Sequence, residues 1–202
     1  LLSAITLAGC GNNKDANEAN FSAAMQQYFD KKGDLCLRMT EWPVDLNDFE
    51  LQRAQAGVYS KAGLMTALEG AGLVEGVQTQ SEPGAKVNRY TLTPAAKPYT
   101  QELEGRSIGL NGSTTVRKTD LCWGRKALDK VVKWKGPMSL GDYQEAVLTY
   151  TYKVDQPADW ARRPEIQAAF PVIKTVLDDA GTKEAQHAVE LTSKGWEAKG
   201  LN

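Results

Sequence analysis

Residues 146–154 constrain the fold of this chain more than any other stretch. Leu148, Tyr150, Tyr152 and Val154 alternate strictly with Val147, Thr149, Thr151 and Lys153. A period of two over nine residues is the signature of a β-strand. A strand needs partners, so the chain must supply others. Residues 75–80 and 86–93 read as two strands around Ser81-Glu82-Pro83-Gly84, a turn-forming sequence. Residues 35–39 and 188–192 read as shorter strands. Residues 127–134 suit a strand, although Leu128, Val131 and Val132 would also fit a helix face.

Other stretches carry the helical period. In residues 16–31, Phe21, Ala24, Met25, Tyr28 and Phe29 fall on one face, and Gly33 ends the run. Residues 61–73 place Leu64, Leu68 and Ala71 together, with Gly72 near the end. Pro94 opens a short helix carrying Tyr99 and Leu103. Pro164 opens a long one, with Ile166, Ala169, Phe170, Ile173, Val176 and Leu177 on one face and Gly181 as the stop. Trp42-Pro43, Gly136-Pro137, Gly141-Asp142 and the residues from Pro157 to Trp160 mark turns, and residues 45–59 are polar with poor periodicity. Helices and strands interspersed in this way predict an α+β fold. Residues 104–115 are rich in Gly and Ser and read as a linker. They divide the chain into two small subdomains, 21–105 and 106–202.

The 202 residues are 42% apolar and 24% charged, the balance of an ordinary globular protein. No apolar run approaches the ~18 residues a membrane-spanning helix needs. The net charge of −1 predicts no general attraction to nucleic acid or anionic lipid. Residues 10–105 hold 9 basic and 13 acidic residues, net −4. Residues 106–202 hold 15 and 12, net +3. This bias suits either two halves that attract weakly or a basic partner surface on the second half.

The chain opens with Leu1-Leu2-Ser3-Ala4-Ile5-Thr6-Leu7-Ala8-Gly9-Cys10, which reads as the tail of an apolar signal segment at residues 1–9. Leu7-Ala8-Gly9-Cys10 resembles the lipobox of bacterial lipoproteins. The resemblance implies cleavage before Cys10, diacylglycerol on its thiol and an acyl chain on the new amine. Small Ala8 and Gly9 let extended backbone enter a peptidase, and the thiol is the nucleophile. Several acyl chains anchor stably where one would be marginal. Residues 10–20 are polar after the Cys and read as a flexible tether. Gly11 stands where an Asp would favour the inner membrane. The sorting resemblance therefore implies the outer membrane of a Gram-negative cell, facing the periplasm.

With Cys10 acylated, Cys36 and Cys122 remain. An even pair in an oxidising compartment implies a disulfide, the alternative being two separate buried thiols. Two Cys and the single His187 make a poor metal set.

Three short matches recur in one order. Asp34-Leu35-Cys36-Leu37 matches Asp120-Leu121-Cys122-Trp123. The stretch from Ala67 to Gly72 matches that from Val176 to Gly181, and Tyr90 to Lys97 matches Val189 to Trp196. They suggest a duplication relating the two subdomains, each a helix followed by a hairpin. The stretch from Leu64 to Lys97 resembles the last helix and wing of winged-helix domains. This implies fold only, because the helix has no row of Arg or Lys for phosphates, and no nucleic acid partner is expected. The chain from Phe21 onwards also resembles proteobacterial envelope lipoproteins. The shared residues are Lys32 to Leu37, Trp42-Pro43, Tyr150 to Lys153, Asp159-Trp160-Ala161 and Ala168 to Pro171. This resemblance implies an envelope location and carries no activity.

No catalytic set assembles from the sequence. One His cannot be assigned to any Ser, and a Cys–His dyad would need a free thiol. Asp178-Asp179 and Asp155 with Asp159 are carboxylate pairs that read as surface residues. There is no Walker loop, dinucleotide fingerprint or calcium loop, so no cofactor or metal is expected. The aromatic residues are the remaining lead. Trp134, Tyr150 and Tyr152, with Lys130, Lys133 and Lys153, would form a groove with a basic rim suited to a peptide, glycan or acidic partner. The leading expectation is a non-enzymatic, membrane-anchored binding or structural module of the cell envelope. The alternatives are an inhibitor, immunity or stress-protection protein and, third, a wall- or lipid-directed hydrolase.

Overall fold

The computed structural model describes residues 12–55, 60–81, 84–109 and 112–201. The lipobox and Cys10, residues 56–59, Glu82-Pro83 of the expected turn, and residues 110–111 lie outside them. The fold is α+β with antiparallel sheets. Its elements are α1 (Glu18–Lys32), β1 (Asp34–Cys36), β2 (Val44–Leu46), α2 (Asp48–Gln55), α3 (Lys61–Gly70), β3 (Val74–Gln80), β4 (Lys86–Leu92), β5 (Thr100–Gly109), β6 (Gly112–Leu140), β7 (Tyr143–Asp155), α4 (Pro164–Ala169), α5 (Pro171–Asp179), β8 (Ala185–Thr192) and β9 (Gly195–Ala198). Short 3-10 turns span Pro94–Tyr99 and Asp159–Arg162.

The chain forms two units, and neither is a sequence half. A terminal unit contains the described part of Leu1–Gly33 with Lys126–Lys153 and the described part of Ala180–Asn202. A bridged unit contains Asp34–Arg125 and Val154–Asp179. The expected boundary at 105/106 therefore falls inside the bridged unit. Of residues 104–115, read as a linker, 104–109 and 112–115 belong instead to the antiparallel ladder of β5 on β6, from Thr100↔Leu121 to Gly109↔Gly112. An antiparallel backbone ladder can form without apolar alternation in its sequence.

In the terminal unit, α1 lies against β9. Phe21, Ala24, Met25 and Phe29 are buried, the i, i+3, i+4 and i+8 face of the periodicity. Asn17 caps the helix by accepting from the Asn20 N–H at 2.9 Å. At the other end Gly33 donates to the Phe29 carbonyl at 2.8 Å. A Cβ there would collide with the carbonyl oxygens of Phe29 and Lys126, so close approach demands glycine. The last strand is a hairpin, β8 on β9, closed at Thr192↔Gly195. Gly195 adopts φ 115°, which only glycine takes readily.

The expected tether is also different. Residues 12–17 lie on the body of the terminal unit. The Asn13 side-chain amide donates to the Lys194 carbonyl at 2.7 Å, and the Trp196 indole donates to the Lys14 carbonyl at 3.1 Å. The Asn20 amide reaches the carbonyls of Asn12 and Asp15, both at 2.8 Å. Polar composition suggested a solvated tether, but these Asn side chains replace water with backbone partners.

In the bridged unit, β2 is followed by α2 and α3 and then by the β3–β4 hairpin, in a sheet ordered β2-β4-β3. The helix-then-hairpin order anticipated for Leu64 to Lys97 is present. Ser60 caps α3 by accepting from the Gly63 N–H at 3.2 Å. The core gathers Leu46, Met65, Leu68, Val74, Tyr90, Leu121, Trp123, Trp160, Ile166 and Ile173. The long helix expected from Pro164 is two short ones. Pro171 has no N–H to donate and disfavours helical backbone at Phe170, which sits at φ −123°, ψ 75°.

The repeat does not carry into equivalent positions. Tyr90 and Leu92 finish the second strand of their hairpin, whereas Val189 and Thr192 finish the first strand of theirs. The matched helix ends share a capping device instead. Gly72 and Gly181 follow α3 and α5 at φ 76° and 73°. The first match joins two strands that pair with each other, β1 and β6.

Candidate functional site

Cys36 and Cys122 face each other across the β1–β6 ladder, and their sulfurs are bonded at 2.02 Å. The ladder slips by one residue beside the bridge, at Trp123, a β-bulge. Gln101 lies over the disulfide, with Oε1 3.2 Å from the Cys122 sulfur and 3.5 Å from the Cys36 sulfur. A disulfide sulfur has no proton to donate, so these are contacts. The Gln101 amide donates to Asp34 at 3.0 Å.

Next to the bridge, Asp120 is 2% exposed. Its carboxylate accepts from the backbone N–H of Arg38 and Met39, both at 3.0 Å, and of Leu121 at 2.8 Å. Arg38 adopts φ 60°, which turns consecutive amides onto one anion, as in a backbone nest. Asp120 is fully engaged in holding the β1 exit against β6. Sequence reading missed it because the repeat gave Asp34 the same standing. Asp34 is instead a surface residue, 3.7 Å from Arg125.

The expected basic aromatic groove does not form. Tyr150 and Tyr152 are 8% and 5% exposed. The Tyr150 ring meets Phe29 edge-on at 5.8 Å, and the Lys126 ammonium lies 4.0 Å over the Tyr152 ring. Burial raises the Tyr150 phenol above its ordinary range, with Tyr28 adding to the shift. Both faces of β7 are covered here, since Thr149 and Thr151 are buried as well. The Thr151 hydroxyl donates to Asp129 at 2.6 Å. Trp134 stays 37% exposed while Phe21 meets it edge-on at 5.2 Å. Lys133 lies 3.7 Å from Glu184, and Lys130 and Lys153 are exposed.

His187 and Asp178 have structural partners. One ring nitrogen of His187, Nε2, is 2.9 Å from the Lys199 carbonyl, and the ring lies 4.4 Å from Tyr28. Asp178 is paired with Lys174 one helical turn away. Among the described residues, no group of three or more His, Cys, Asp or Glu is placed to hold a metal ion. An open cleft of about 360 Å³ lies between α2 and the β3–β4 hairpin, lined by Asp48, Leu51, Gln78, Lys86 and Asn88. Asp48 and Lys86 are both exposed there.

The terminal unit carries an exposed network that the sequence did not reveal. Lys199 Nζ is 2.6 Å from Glu145 Oε2 and 3.0 Å from the Tyr143 hydroxyl, which itself donates to Glu145 at 2.5 Å. The Lys199 hydrogen bond first, and that of Tyr143 second, hold the Glu145 carboxyl below its ordinary range. Glu145 in turn raises Lys199.

At the tip of the same hairpin, Met138, Leu140 and Tyr143 are 62%, 82% and 42% exposed. An apolar-polar-apolar run before Gly141-Asp142 was the available signal. No family model, curated protein or solved structure matches this chain.

Proposed function

We propose that this protein is a membrane-anchored lipoprotein of the bacterial envelope. It is acylated at Cys10, faces the periplasm from the outer membrane, and serves as a binding or structural module without catalysis. The observation that carries the reading is the Leu7-Ala8-Gly9-Cys10 motif. Two features support it. The Cys36–Cys122 disulfide suits an oxidising compartment. His187, Asp178 and Lys133, among the titratable side chains singled out in the sequence, each have a structural partner. The inhibitor or immunity reading loses two of the three aromatic residues of its surface, because Tyr150 and Tyr152 are core residues while Trp134 stays exposed.

Metabolic labelling with a palmitate analogue tests the anchor. The native chain should take up label and sediment with outer membranes, and Cys10→Ala should do neither. Equal labelling of the two would remove the proposal.

A further inference from the structure

Among the described residues, the large apolar side chains left exposed in the terminal unit are Val132, Trp134, Met138, Leu140 and Tyr143. All five are on one hairpin, β6–β7, and the most exposed flank its Gly141-Asp142 turn. Such a patch on a ribbon tip adds nothing to a core and is a feature of contact surfaces.

The position of the N-terminal segment indicates what the patch meets. In the β7–β8 ladder Tyr150 pairs with Ala185 and Glu145 with Glu190. Moving along β7 towards Tyr143 therefore moves along β8 towards Thr192 and the β8–β9 turn. Asn13 is hydrogen-bonded to Lys194 in that turn, and Lys14 to Trp196 beside it. The N-terminal segment is thus fastened at the end of the unit where the apolar hairpin tip projects. Cys10 is two residues before Asn12, and two residues of chain span at most ~7 Å. An acylated Cys10 would hold this end of the body at the bilayer surface.

The geometry points to the β6–β7 hairpin tip as a second membrane contact, with Met138 and Leu140 entering the interfacial layer of the bilayer that holds the lipid. The inference rests on the acylation of Cys10 proposed above. Apolar side chains gain by leaving water for the acyl boundary, and Tyr143 has the amphipathic ring favoured at that depth. Exposed Lys14 and Lys194 at the same end are offset by exposed Asp15 and Asp142, so the contact rests on the apolar side chains. The occupant is lipid, because the anchor presents lipid to this surface at covalent range.

An environment-sensitive fluorophore on Leu140→Cys tests this, with Lys130→Cys as the control. Lys130 is exposed and lies in the same unit on β6, away from the hairpin tip. Each chain is reconstituted in phosphatidylethanolamine–phosphatidylglycerol vesicles in two forms. One is the native lipidated form. The other carries Cys10→Ser and an N-terminal hexahistidine tag, bound to nickel-chelating lipid. The probe at 140 should shift to the blue and lose emission to headgroup-region spin-labelled lipid in both forms, while the probe at 130 does neither. A vesicle-bound chain whose 140 probe neither shifts nor quenches overturns the proposal. So does a 140 probe that responds to envelope protein but not to lipid. If the native form fails to float with vesicles while the tagged form gives the 140 response, the acylation reading falls and the membrane-facing hairpin stands.

Discussion

The two units solve the same problem with different chemistry. The bridged unit holds its strands by covalent and polar means. A disulfide ties β1 to β6, and the buried Asp120 collects three backbone amides beside it. The terminal unit contains no disulfide among its described residues and depends on aromatic packing. Phe21 sits edge-on to both Trp134 and Trp196, at 5.2 and 5.0 Å. The disulfide depends on redox state, and the aromatic packing of the terminal unit does not. The reducing agent dithiothreitol should therefore separate units that a thermal scan in oxidising buffer would blend.

The largest difference should come from breaking the bridge. The pair is 86 residues apart, so its loss should cost about 4–5 kcal/mol on a chain-entropy view. In Cys36→Ala/Cys122→Ala, hydrogen exchange should show α3 and β4 losing protection while α1 and β8 keep theirs. Equal loss in both would mean that the units unfold as one.

Phe21→Ala probes the other side. Removing a fully buried phenyl ring should destabilise the terminal unit by about 3–4 kcal/mol, read as a lower urea midpoint by tryptophan fluorescence. Protection of α3 should be unchanged. Asp120→Ala comes next, at about 2–3 kcal/mol, because it leaves amides of Arg38, Met39 and Leu121 without their acceptor. Its effect should be confined to the bridged unit. Asp120→Asn should recover part of it, since an amide oxygen still accepts.

The smallest effect is electrostatic. Arg89 donates to Asp45 through Nε at 2.7 Å and Nη2 at 2.6 Å. This hydrogen bonding holds the Asp45 carboxyl below its ordinary value of 3.8. A depressed folded-state pKa contributes stability above the unfolded pKa and loses it as pH falls through the folded one. The bridged unit should therefore weaken slightly below pH ~4, and Asp45→Asn should flatten that part of its pH profile. The pair is partly open to solvent, so 0.5 M salt should mask much of the difference.

Sequence reading located the elements whose side chains decide their structure. The α1 face and β7 carry apolar periodicity because one or both sides are buried, and the β3–β4 hairpin is marked by its turn residues. It failed where the backbone decides. The β5–β6 ribbon is held by its own ladder, so Gly- and Ser-rich residues 104–115 gave no strand signal. The division into units was equally hidden, because β6 and β7 each contribute to both. The expected groove failed for a different reason. Alternation along β7 told which residues share a side, but not that both sides are covered, and so Tyr150 and Tyr152 passed for surface residues. Asn13 and Asn20 read as tether because polar residues predict solvent unless their partners are known.

The central claim concerns Cys10, and intact-mass analysis of the protein extracted from native membranes tests it most directly. The account predicts a chain beginning at Cys10, carrying diacylglycerol on its sulfur and an acyl group on its amine, with the Cys36–Cys122 bridge intact. A chain continuing upstream of Cys10, or beginning there with a free thiol, would contradict it.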